Sequence, residues 1–390
     1  MTAPDAATLL ACLRLARTDG IGPVSYHRLV RTHGSVQAAL ALLERGASPG
    51  RNMGQPGTRD DALREIDRLH AMGGQFVVHG QPGYPPLLAA LHDAPPVLAV
   101  LGDPALLSAR MVGIVGGRNA SAGGIRMAES LSALLAAQGV DTVSGLARGI
   151  DAAAHRGAMT AGRTVAAIAG GLDCPYPPEH ADLQARIAGT GAVVTEAPLG
   201  TVPQARHFPR RNRLIAGLGL GCVVIEAALR SGSLITARMA LDYDRTIFAV
   251  PGSPLDPRCH GSNDLLRQGA VLTENERDIL RELPETTEET GLFPGRFPPV
   301  RNPAVPQRER AGTVLRAVPA PSPCPPVQGE GDLHEMIEGF LSFTPSPVDD
   351  LVRRCQFSTA AVLTALSEME IAGTVEFLAG DMVVRRPPPA

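Results

Sequence analysis

Between residues 110 and 280 short apolar runs alternate with stretches of helical period. The runs at 111–115, 141–143, 164–169, 192–195, 222–225, 246–250 and 270–272 read as strands. Segments 126–138, 150–160, 178–188 and 234–243 read as the helices between them. Apolar strands alternating with helices predict an α/β fold, a Rossmann-like, doubly wound and mostly parallel sheet covered on both faces.

The flanks have other textures. The first hundred residues read as mainly helical, with apolar residues at helical spacing over Ala6–Ala16. "DGIGPVSYHRLVRTHGSVQAAL", Asp19 to Leu40, places a Gly-x-Gly-Pro turn before one helix and a second helix after Ser35. This pattern resembles a helix-hairpin-helix (SAM-like) unit, whose turn amides can hold a phosphate, although a plain helical turn uses the same residues. From Pro284 to about Glu330 the chain is Pro-rich without periodicity and reads as an extended linker. Order returns with a short helix at 334–343, broken by Pro345 and Pro347, and a second over Val348–Cys355. Ser358 caps a third helix reaching Ile371, and strands at 374–378 and 382–384 flank Ala379-Gly380-Asp381. Three helices and a hairpin resemble a winged helix. The expected organisation is therefore 1–100 helical, 101–283 Rossmann-like, 284–331 linker and 332–386 winged-helix-like.

Composition narrows the chemistry. At 390 residues the chain can form two or three domains, and no apolar run reaches 18 residues. With no basic, signal-like start and six cysteines that form no CxxC pair, a cytoplasmic protein with reduced thiols is expected. All 36 cationic side chains are arginine. A Walker-type ATPase, a Schiff-base enzyme and a kinase each need a lysine and are excluded.

In a doubly wound sheet, ligands sit beyond the carboxyl ends of the strands. The segments there are "GGRNASAGG", "SGLARGIDAAAH", "GGLDCPYP", "EAALRSGSLITA" and "PGSPLDPRCHGSN", and "HFPRRNRLIAGLG" leads into the fifth strand. Glycines let backbone amides approach an anion, hydroxyls of Ser121, Ser144, Ser231, Ser233 and Thr236 donate, and Arg118, Arg148, Arg210, Arg211 and Arg213 offer planar forks. The first turn lacks G-x-G-x-x-G and no acid ends the second strand, so NAD or FAD does not fit. Candidate acids (Asp151, Asp173, Glu196, Glu226) and bases (His155, His180, His207, His260) form no known catalytic spacing, and no metal-ligand motif appears. A polymeric anion fits better. Residues 110–238 hold 13 arginines against 8 acids, whereas the segment from Glu330 holds 4 against 10. Arginine forks beside an aromatic suit single-stranded nucleic acid, with Phe208 as the stacking candidate. The third helix of the C-terminal unit has no cation and carries Glu368 and Glu370. It is not suited to a major groove, so protein contact or packing is its expected role.

"SGLARGIDAAAH", "HFPRRNRLIAGL", "EAALRSGSLITA" and "VPGSPLD" together resemble the DNA-processing protein A family (DprA, also called Smf), over roughly 1–283 and 332–386. The resemblance implies single-stranded DNA binding by the central domain, homodimerisation through it, and loading of the RecA recombinase during natural transformation. It implies no catalysis and no cofactor. The family's Gly-Ser-Arg appears as Gly116-Gly117-Arg118, so a hydroxyl donor is lost, and its basic residue after Ser144-Gly145 is Arg148. Phe208, Arg211 and Arg213 match the Phe-Pro-x-Arg-Asn-Arg motif, with Arg210 and Asn212 between them as further candidates, and Ser231, Gly232, Ser233 and Thr236 match its Ser-Gly-Ser-Leu-Ile-Thr turn. Two alternatives stay open: a nucleotide-cleaving, phosphoribohydrolase-like enzyme using Glu226, and a protein scaffold whose arginines pair with internal acids.

Overall fold

The computed structural model describes residues 5–45, 54–284 and 330–386. The first described elements are four helices, α1 (Ala6–Ala16), α2 (Pro23–His33), α3 (Val36–Glu44) and α4 (Arg59–Ala71). Local chemistry sets their ends. Asp5, Ser35 and Thr58 cap α1, α3 and α4 with side-chain oxygens, and α2 starts at Pro23 after Gly22. There follow β1 (Gly74–Val78), α5 (Pro86–Ala89), β2 (Val97–Gly102), β3 (Met111–Gly116), α6 (Ala122–Ala137), β4 (Asp141–Ser144), α7 (Ile150–Ala161) and β5 (Thr164–Ala167). Next come α8 (Ala181–Thr190), β6 (Ala192–Thr195), α9 (His207–Leu218), β7 (Gly221–Ile225), α10 (Gly232–Asp242), β8 (Thr246–Ala249), α11 (His260–Arg267), β9 (Val271–Leu272) and α12 (Glu276–Glu282).

Nine strands form one sheet in the order β1-β2-β6-β5-β4-β3-β7-β8-β9. The seven from β6 to β9 are mutually parallel, and β2 joins β6 antiparallel. This is the doubly wound sheet expected from the alternation, extended at one edge. Within the first hundred residues, read as mainly helical, β1 and β2 are strands of this sheet. Their runs, Phe76-Val77-Val78 and 97–101, are short and lie among prolines and glycines. Each gains stability only by pairing with the other and with β6. The N-terminal helices pack on one sheet face, where Leu13, Leu15, Leu40 and Leu69 meet Phe76, Val97, Ala166 and Val193 in one core.

The C-terminal unit comprises α13 (Glu330–Phe340), β10 (Ser346–Pro347), α14 (Val348–Cys355), α15 (Thr359–Ile371), β11 (Val375–Leu378) and β12 (Met382–Arg385). It is a winged helix with its own core of Leu333, Ile337, Leu351, Leu366 and Val383, which Ala122 of α6 joins. The first helix ends at Phe340 rather than 343, and β10 adds a third strand to the expected hairpin. The unit docks on the sheet domain through α13 and α14. Asp350 pairs with Arg126, Arg354 with Glu129 at 3.8 Å, and Arg258 donates to Gly339 O (2.9 Å) and Leu341 O (2.6 Å). The expected linker and Cys324 lie outside the described residues; the five described cysteines are unpaired. No described helix is long and apolar enough to cross a membrane.

Candidate nucleic-acid interface

Strand order reverses between β3 and β7, where a doubly wound sheet ordinarily opens its crevice. Here Glu226 fills that position. Its carboxylate accepts from Ser121 N (2.8 Å) and from the Ser121 hydroxyl, at the N-terminus of α6. A Cβ on Gly124 would come within 2.5 Å of the carboxylate, so the first turn of α6 is built around it. The acid sits where the helix dipole favours a negative charge. Glu226 itself has φ +49°, and Leu146, just beyond β4, has φ +57°. Two non-glycine residues in the left-handed region at strand ends mark backbone held by its surroundings.

The open cleft lies to one side, over the ends of β3, β4 and β5. It has a volume of about 360 Å³ and is walled by Arg118, Gly145, Arg148, Gly170, Tyr176 and Phe208. Phe208, on the first turn of α9, is half-buried. Arg118 lies over its ring at 5.0 Å from the centroid, Arg211 lies at 5.8 Å, and Tyr176 meets it edge-on at 5.8 Å. The result is an aromatic pair flanked by two guanidinium groups at an open edge. Arg148 pairs with Glu179 on the surface, where both side chains are well exposed and the pair is weak.

Arg211 lies beside the Phe208 ring and lines the adjoining cleft. It is 5% exposed, donates to Ala167 O at 3.3 Å, and stands 3.8 Å from Asp151. Gly145 makes room for it, because a Cβ there would fall 1.3 Å from Arg211 Nη1. Burial pushes the Asp151 carboxyl up, against the pull of Arg211. Burial also lowers the guanidinium of Arg211, against Asp151 and with the help of Arg118. A positive group with a single, imperfect counter-charge is favourably placed to receive an anion.

Several expected ligand-facing residues are occupied elsewhere. Ser121 donates to Glu226 and accepts from Gly124 N, and Ser144 donates to Ile114 O (2.6 Å) inside the core. Arg213 is buried against Glu196 and Asp93, so it closes a structural ion-pair network rather than facing the Phe208 cleft. Asn212 is buried on α9 and lines neither this cleft nor its neighbour. Ser231, Gly232, Ser233 and Thr236 begin α10, where Ser231 caps the helix and Ser233 and Thr236 are buried, away from the cleft. Gly116 and Gly117 serve close packing: a Cβ on Gly116 would meet Ile225 O at 1.9 Å. Arg210 is exposed, with no ion pair among the described residues, and faces an adjoining cleft. Tyr176 and Asn119 line the main cleft but were not singled out in the sequence, although both lie in the Gly-rich turns after strands.

The fold and the site define a Rossmann-like protein whose dinucleotide crevice is filled and whose open cleft offers arginines and aromatic rings. Residues 75–284 match the family model for DNA recombination-mediator protein A. Residues 6–67 match a DprA-like N-terminal HHH domain, and 319–381 a DprA winged helix domain. The chain is 37% identical over 302 residues to protein Smf of Escherichia coli, covering 77% of this chain and 74% of that one. It is 44% identical over 204 residues to the DNA processing protein DprA of Bacillus subtilis, covering 52% and 69%. The X-ray structure of DNA processing protein A from Streptococcus pneumoniae superposes with a TM-score of 0.60 at 34% identity, covering 70% of this chain and 96% of that one. The chain belongs to the DNA recombination-mediator protein A family, with a DNA-processing, recombination-mediator role.

Proposed function

We propose that the Phe208 cleft binds single-stranded DNA, with bases on the Phe208–Tyr176 pair and phosphates on Arg118 and Arg148. The observation that carries this reading is the Phe208 ring flanked by Arg118 and Arg211 at an open edge. Aromatic faces accept any base, and guanidinium forks accept any backbone phosphate, so the site is suited to a strand of unspecified sequence. The exposed Arg148–Glu179 pair can open as a phosphate arrives. On the family pattern, the bound strand is incoming DNA that the protein shields, as a homodimer in the cytoplasm, and hands to the RecA recombinase.

Phe208→Ala should weaken oligo-dT binding about tenfold, in keeping with about 1–3 kcal/mol per stacked base, while leaving the salt dependence unchanged. Fluorescence anisotropy checks it; unchanged affinity in the folded variant contradicts the stacking role. The occupied state of Glu226, held by two hydrogen bonds at a helix start, speaks against its use as the acid of a nucleotide-cleaving enzyme. Release of free base from a nucleotide would revive that reading.

A further inference from the structure

A second cleft of about 360 Å³ adjoins the first, and the two share Ile168 and Ala169 at the end of β5. One wall is the hairpin turn Gly20-Ile21-Gly22 before α2; the other is the start of α9, with Arg210, Arg211 and Arg213. Arg17, at the end of α1, ties the helical unit to the sheet domain by donating to Glu196 O, just beyond β6, at 2.9 Å.

Three buried polar atoms at this junction, Arg211 Nε, Arg213 Nε and Glu196 Oε1, have no hydrogen-bond partner. Two of them are donors on residues that are 5% and 7% exposed. Across the cleft, the 11-residue helix α2 starts at an exposed Gly22 with no side-chain cap and no acid in its first turn. Its first amides therefore lack a side-chain acceptor. Among the described residues the acids lining the cleft are Asp19 and Glu196, and Arg213 holds Glu196. Arg210 is exposed beside them with no ion pair among the described residues.

We infer that this second cleft binds a phosphodiester of the same strand, between the hairpin amides at the start of α2 and Arg210, with Arg211 at the junction of the two clefts. The inference rests on the reading of the Phe208 cleft as a single-strand site and extends the strand's path onto the N-terminal helical unit. A phosphate here supplies the acceptor that exposed Arg210 and the uncapped helix start both lack.

Gly22→Asp tests it. Gly22 has φ −85° and ψ 174°, and nothing lies within 4 Å of an added Cβ, so aspartate fits as a helix cap. It would place a carboxylate where the phosphate binds. Anisotropy is read with oligo-dT of about six and about thirty nucleotides, and with a duplex, over a salt series. Gly22→Asp should weaken the long strand about tenfold and lower its salt slope by about one phosphate contact, leaving the short strand unchanged. Gly22→Ala, with neither charge nor cap, should bind as the parent does. Arg118→Ala should weaken both lengths. If Gly22→Asp binds the long strand like the parent while Arg118→Ala is weakened, the second cleft is off the strand's path and the first reading stands. If neither variant is weakened, the first reading fails as well. Loss of duplex binding alone would overturn the single-strand assignment of the hairpin.

Discussion

Arginines in this chain divide by what reaches them. Phe208, Arg118 and Arg148 stood out in the sequence because a lone aromatic among arginines and Gly-rich turns has a local signature, and all three meet in one cleft. Arg213 has the same sequence signature, but its counter-charges come from Glu196, 17 residues away, and its carbonyl acceptor from Asp93, 120 residues away. Such partners are set by the tertiary fold and leave no local trace. His155 shows the same separation of local pattern from role. It is fully buried, and because Thr164 Oγ1 donates to Thr142 O (2.9 Å), the His155 Nδ1 must donate to Thr164 Oγ1 (2.7 Å). Burial, then Arg211, His180 and Arg156, lower its pKa from 6.5 to about 3. Between these values the unfolded chain binds the proton and the folded one does not, so stability is full above pH 6.5 and is lost as pH falls toward 3. From pH 7 to pH 5 this group should cost about 2 kcal/mol of stability. Urea unfolding at both pH values should show a smaller acid loss in His155→Gln than in the parent; an equal loss would contradict the assignment.

Elements with long, strongly periodic patterns were legible from the sequence, and those that depend on a partner were not. α1, α14 and α15 follow the expected bounds, and the parallel strands lie within a residue or two of theirs. β1, β2 and β10 are short and form only by pairing, so their own residues carry little signal. The winged helix illustrates a role visible only in contacts. α15 carries no cation, and the docking surface lies instead on α13 and α14. Arg258 connects this unit to the sheet domain through two carbonyls and is itself steadied by Asp256 at 2.9 Å. Hydrogen bonds from a charged donor contribute about 1.5–3 kcal/mol each. Arg258→Ala should raise amide exchange in α13 and α14 at least tenfold while the central strands keep their protection. Unchanged exchange there would show that Asp350–Arg126 and the Ala122 contact hold the unit without it.

On the scale of the whole molecule, a basic sheet edge sits between a helical hairpin and an acidic winged helix. The net charge of −3 conceals this division. Arginine-rich turns of a parallel sheet gather at one edge because every strand from β3 to β8 that precedes them points the same way. That convergence, rather than any single motif, makes the edge a track for a polyanion. Affinity for such a ligand should come mainly from displaced counterions and fall linearly in log–log form with salt, by about 0.7 per phosphate neutralised on a single strand. The most direct measurement is fluorescence anisotropy of a labelled thirty-nucleotide oligo-dT against a duplex of equal length over a salt series. Tight strand binding that weakens steeply with salt, with the duplex much weaker, is the predicted result. A strand that does not bind at low salt, or a duplex that binds equally well, would contradict single-strand recognition at the Phe208 cleft.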